Sequence, residues 1–271
     1  MAKKQGQSLR EAFQSVFASG AILIAFIVSL IVYNYVMGNP ANFEGGNPAG
    51  HPMPGNYLAM IYKGGMIVPL LMTCVLTVLI FVIERTVMLR KARGKNKVNI
   101  FVKNIQNELN KNNIEAAIAT CDNQKGSIAA VVKSGLLKYK ELANDNVLEK
   151  DQKVLALQKE IEESSALELP MLSKNLVILS TLASVSVLIG LIGTVLGMIR
   201  AFAALAQAGA PDALALATGI SEALINTAFG ITGSTIAIIF YNYFSSKIDS
   251  LTFKIDESAY SVVQTFASKT K

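Results

Sequence analysis

Four long stretches without a charged residue constrain what this chain can fold into. No Asp, Glu, Lys or Arg falls between Glu11 and Glu44, Lys63 and Glu84, Lys174 and Arg200, or Glu222 and Lys247. A helix needs about 20 apolar residues to cross roughly 30 Å of hydrocarbon, and each run is long enough. They predict four membrane spans, near 17–37, 64–84, 176–205 and 214–245. The last two exceed the minimum and are expected to tilt or to protrude into water. Of the 271 residues, 52% are hydrophobic and only 16% charged, against about 25% charged in soluble domains. This balance argues against an ordinary soluble enzyme.

The basic residues orient the spans. Lys3, Lys4 and Arg10 precede the first run, Arg85, Arg90, Lys91, Arg93, Lys95 and Lys97 follow the second, and Lys247 and Lys254 follow the fourth. Of the 25 Lys and Arg residues, only Lys63 and Arg200 fall in the other two loops. The positive-inside rule then puts both termini and 85–175 in the cytoplasm, with 38–63 and the turn 206–213 outside. The net charge of +6 is thus an orientation signal. Arg85, Arg90, Lys91 and Arg93 are also expected to face anionic lipid headgroups or the cytoplasmic interface, not nucleic acid. Glu84 is expected to pair with a nearby arginine.

The first run is read as a retained span, because Tyr33-Asn34-Tyr35-Val36-Met37 offers no small-residue cleavage site. It forms, with the Gly/Pro-rich loop to residue 63, an N-terminal segment; Pro40, Pro48, Pro52 and Pro54 predict an irregular connection. Residues 64–84 are the second span. In 85–175 the apolar spacing predicts amphipathic helices: Ile100, Val102, Ile105, Leu109 and Ile114; Ile128, Val131, Val132, Leu136 and Leu137; Val154, Leu155, Leu157, Ile161 and Leu167. The last stretch runs into the third span, with Pro170 expected to bend or start the entering helix. Residues 176–246 form a transmembrane hairpin and 247–271 a cytoplasmic helix. No strand alternation stands out, so the fold is expected to be all-α. Cys74 and Cys121 cannot build a disulfide framework, and His51 is the only histidine. No metal, cofactor or enzymatic site is expected.

The third and fourth runs carry the functional signal. At 100° per residue, Ala183, Ser186, Gly190, Gly193, Thr194, Gly197, Ala201, Ala204 and Ala208 share an arc of about 100°. On the fourth, Gly219, Glu222, Ala223, Asn226, Thr227, Gly230, Gly233, Ser234 and Ala237 fall within about 140°. Bulky Leu and Ile residues fill the opposite sides. Small stripes let helices approach closely in lipid, so Gly190, Gly193, Gly197, Gly230 and Gly233 read as packing positions. Glu222, Asn226 and Thr227 are costly inside a span and usually face a cavity or partner. Glu222 lies roughly 12 Å and Thr227 roughly 20 Å from the outer end, with Thr194 at a comparable middle depth. One chain has too few polar walls for a pore, so a ring of copies around a central channel is expected, with a passive scaffold as the competing reading.

Leu-Ile-Gly-Leu-Ile-Gly-Thr-Val-Leu-Gly-Met-Ile (188–199) resembles a signature of the MotA/TolQ/ExbB proton-channel family. Ile220-Ser-Glu-Ala-Leu-Ile-Asn-Thr-Ala-Phe-Gly (220–230), Tyr241-Asn242, Glu84-Arg85 with Leu89, and Leu169-Pro170 are similar to its other segments. The resemblance covers roughly 64–247 and is nearest to the ExbB branch, with TolQ next. It implies a homopentamer in the bacterial inner membrane whose pore holds the helices of an ExbD-like single-span dimer. Proton motive force would drive work on a TonB-like protein, or on the envelope in a TolQ-like role. By motif position Thr194 and Thr227 match pore-lining threonines and Glu222 the acidic residue of the last span, with Asn226 beside them on the proton pathway. The first span with its loop departs from the family pattern.

Overall fold

A computed structural model of the chain describes residues 2–48, 50–145, 147–207 and 213–269, for 2–16, 204–205, 207 and 213–215 the backbone alone. The fold is all-α. Among the described residues there is no strand, only an isolated bridge between Phe43 and Pro52. The helices are α1 Ala2–Ile31, continued by a π-helical turn Val32–Met37, α2 Tyr57–Tyr62, α3 Ile67–Arg93, α4 Val98–Asn110, α5 Ile114–Gln124, α6 Gly126–Ala143, α7 Lys150–Ser173, α8 Leu176–Gln207 and α9 Ala213–Lys269. Four helical stretches are long and apolar enough to cross a membrane, beginning at Phe17, Ile67, Lys150 and Leu216. The expected turn 206–213, and Ala208 in the small stripe, fall largely outside the described residues.

The chain divides into two compact units, one comprising residues up to Val82 with Val177–Tyr241, the other Ile83–Leu176 with Asn242–Lys271. In the first unit, the N-terminal helix is stapled by aromatic contacts. Tyr33 stacks on Tyr62 at 4.6 Å between ring centroids and donates its hydroxyl to the Tyr62 carbonyl at 3.1 Å. Phe17 meets Phe81 edge-on. The expected irregular loop is more ordered than its Gly/Pro content suggested, because asparagines cap it. Asn42 donates to the carbonyls of Val36 and Met37, Asn56 donates to Asn42, and the Asn56 side chain accepts from Leu58 and Ala59, starting α2. Gly64 and Gly65 then turn the chain into α3, so the second span begins three residues later than 64.

The second unit is a helical domain whose core includes Phe101, Ile105, Leu109, Ile128, Val131, Leu136, Leu157 and Ile161 together with Ile255, Val262 and Phe266 of α9. Tyr139 meets Phe266 edge-on at 4.6 Å. Ile100, Leu137, Leu155 and Leu167, expected on buried faces, are exposed in the single chain, since each lies off the arc defined by its buried neighbours. Pro170 sits inside α7, and the break before α8 falls instead at Lys174 and Asn175, where Asn175 adopts φ +64°. Asn tolerates that left-handed conformation better than most residues.

Candidate functional site

The site lies in the first unit, on the seam between α8 and α9. Along α8 the contact residues rise through 186, 190, 193 and 197 while their α9 partners fall through Gly230, Asn226 and Ala223, an antiparallel register. A Cβ placed on Gly193 would stand 2.6 Å from the Asn226 Cβ, and one on Gly197 would stand 3.0 Å from the Ala223 Cβ. On Gly190 it would stand 3.0 Å from the Asn226 carbonyl oxygen, and on Gly230 2.7 Å from that of Ser186. Only glycine lets these backbones approach so closely. The expected small stripe is therefore used within one chain, helix on helix, with Gly233 also facing Val75 of α3.

Inside this seam Thr194 and Thr227 hydrogen-bond hydroxyl to hydroxyl, and Thr194 also donates to the Gly190 carbonyl at 3.1 Å. Both threonines are half-buried, so one side of the pair stays accessible. Asn226 differs from expectation. It is fully buried and donates its amide to the Gly64 carbonyl at 2.9 Å, tying α9 to the α2–α3 turn. Asn226 does not line an open path in this chain, because its helical position faces the glycine seam. Its Oδ1 is buried without a hydrogen-bond partner, as is the Thr77 hydroxyl of α3, which the sequence reading missed.

Near the start of α9, Glu222 is paired with Arg200 at 3.6 Å. Arg200 thus has a carboxylate partner on α9, and its guanidinium lies beside Gly65. Lys63 in the outer loop stands over the Phe43 ring at 5.6 Å. Burial holds its ammonium below the ordinary value, and the Glu222 carboxylate opposes that shift. The Gly64–Gly65 turn and Lys63 belong to the site but had no signal beyond the glycine pair.

In the second unit, Glu84 and Arg85 form the expected pair, with both guanidinium contacts at 2.6–2.7 Å. Arg85 is only 1% exposed and donates its remaining nitrogen to the Leu172 carbonyl at 3.0 Å. This corrects the expectation of a headgroup contact at Arg85, since a guanidinium buried to 1% exposure cannot reach a lipid. Arg90, Lys91 and Arg93 remain exposed.

A polytopic helical protein with a threonine pair held mid-span by a glycine seam, and an ion pair toward the outer end, is a membrane protein built around intramembrane polar chemistry. Residues 123–257 match the MotA/TolQ/ExbB proton channel family, and the chain belongs to that family. Among its relatives are a putative biopolymer transport protein ExbB-like 3 of Synechocystis sp., 36% identical over 32% of this chain and 42% of that protein, and the Tol-Pal system protein TolQ of Haemophilus influenzae, 39% identical over 36% of this chain and 39% of that one. The biopolymer transport protein ExbB of Salmonella typhimurium is 38% identical over 27% and 30%. The chain thus spans less than half the length of each of these three relatives.

Proposed function

We propose that this chain is the proton-channel subunit of an inner-membrane motor complex that uses the proton motive force to energise a TonB-type outer-membrane transport system. It would act as a homopentamer around an ExbD-like single-span dimer, with both termini cytoplasmic. The observation that carries the reading is the Thr194–Thr227 hydroxyl pair, accessible on one side and deep in an otherwise apolar bilayer. Hydroxyls there can pass a hydrogen bond to a carboxylate, or hold the water that does. Glu222 is the only carboxylate of this chain well inside a span, and it lies toward the outer end. The deepest titrating group is then an aspartate of the partner helix, with Glu222 and Arg200 setting field and hydration at the outer entrance.

A TolQ-like role in envelope maintenance is the second reading, favoured by a TolQ relative as similar as the ExbB relatives. A non-conducting scaffold is the third, favoured by the glycine seam. Thr194→Val with Thr227→Val keeps the side-chain shape and deletes both hydroxyls. An unpaired carboxylate in a low-dielectric pore resists ionising, so losing its polar neighbours slows proton release. Complex reconstituted with its partner in vesicles under an imposed pH gradient should assemble normally yet dissipate the gradient far more slowly. Dissipation at the parent rate would make the threonines packing residues and support the scaffold.

A further inference from the structure

The end of α3, the start of α4 and the middle of α9 enclose a groove of about 560 Å³ within the second unit. Five cationic side chains line it, Arg90, Arg93, Lys97, Lys247 and Lys254, and no carboxylate does. Among the described residues, only Lys254 of these five has a carboxylate partner, Glu257, at 2.7 Å. Elsewhere in this unit some lysines do have carboxylate partners: Lys133 pairs with Asp122, Lys138 with Glu141 and Lys140 with Glu115. Like charges gathered on one groove cost free energy that a bound anion would offset.

The groove is also preorganised. Gln124, 1% exposed, donates to the carbonyls of Arg93 and Asn96 and accepts from the Asn96 amide, clamping the turn that carries Arg93 and Lys97. Gly94 occupies φ +83° against the backbone of Gln124 and Lys125, a conformation and a contact that a side chain would prevent. Apolar residues, Leu89, Val98 and Leu251, line it as well. Arg90 follows the second charge-free run and Lys247 ends the fourth, so the groove stands where the chain leaves the hydrocarbon.

We infer that this groove binds the headgroup of one anionic phospholipid of the cytoplasmic leaflet. Arg90 and Arg93 offer planar forks for the phosphate, Lys97 and Lys247 offer point charges, and the glycerol end lies on Leu89 and Leu251. The mixed lining is what selects a lipid over a soluble anion, which would leave the apolar residues unused. The inference rests on the cytoplasmic orientation within the function proposed above, and not on proton conduction.

The test uses the full chain in nanodiscs of phosphatidylcholine containing a minor fraction of phosphatidylglycerol, with retained lipid counted by native mass measurement after detergent extraction. The parent should hold one phosphatidylglycerol per chain. Each basic residue is worth roughly fivefold at an anionic surface, so Arg90→Gln with Arg93→Gln and Lys247→Gln should weaken retention by about a hundredfold. Lys138→Gln with Lys140→Gln, which removes paired lysines, should leave retention unchanged. A photoactivatable phosphatidylglycerol should crosslink to peptides 86–100 and 243–254 in the parent, a readout that needs no folded variant. Equal retention by the triple variant, crosslinks elsewhere, or full displacement by millimolar inorganic phosphate or an acidic peptide would each overturn the inference. Gradient dissipation by the same variants, reconstituted with the partner in sealed vesicles, keeps the two failures apart: lost conduction with retained lipid counts against the channel, not the groove.

Discussion

Asn226 reaches across 162 positions of sequence to donate to the Gly64 carbonyl, and both residues are buried. Asn226→Ala leaves that carbonyl without a donor, which costs about 1–3 kcal/mol; Asn226→Asp also turns an acceptor toward it and should cost more. Melting of the purified protein in detergent should show both losses, whereas Thr194→Val, whose backbone partner Gly190 keeps its helical bond, should melt close to the parent. Arg85 is held more strongly still. Arg85→Ala strands Glu84 and frees the Leu172 carbonyl, a loss of about 3–5 kcal/mol for a broken buried pair, and should abolish folding of the second unit's helices as judged by limited proteolysis. Cys121 sets an alkaline limit. Burial, with Asp122 adding and Lys133 opposing, raises its thiol to about 12. The folded state thus favours the protonated thiol. Its contribution is complete below the unfolded value of about 8.5 and is lost as pH climbs from there toward 12. Cys121→Ala should therefore lower the melting temperature at pH 7, with the gap to the parent narrowing by about pH 10.

Between elements, the decisive contact is α8 on α9. Gly193→Leu drives a side chain into Asn226, and overpacking of this kind costs about 1–3 kcal/mol or more. Since the seam lies within the chain, the expected result is loss of folded protein before any question of oligomer size arises. Expression and monodispersity in detergent should fall together. Gly20 of α1 is the control, because a Cβ there meets nothing within 4 Å, so Gly20→Ala should be silent in the same measurements. Recovery of well-folded, smaller oligomers from Gly193→Leu would instead move the stripe to an interface between copies.

For the whole molecule, the prediction is topological. Cys74 and Cys121 are both buried, so an introduced cysteine is read against a low background. Asn47→Cys should react with an impermeant maleimide added outside intact cells, and Asn123→Cys should react only after lysis. The reverse pattern would overturn the four-span orientation, and with it the cytoplasmic placement of the lipid groove.

Hydrophobic periodicity and charge distribution are local properties, and they sufficed for the four long apolar helices and the all-α class. They could not say what each polar group meets. Thr194 meets Thr227 across 33 positions, and Asn226 is a strut and not a pore wall, because close glycine packing sets which side chains face inward. Arg85 reads as one more cation in a basic cluster, yet the Leu172 carbonyl 87 positions away draws it inside. Lys247 and Lys254 read as orientation charges of the last helix, and only the fold brings them beside Arg90, Arg93 and Lys97. Burial and spacing along one helix are written in the order of residues; the partner of a buried polar group depends on how separate helices pack, and that is decided in three dimensions.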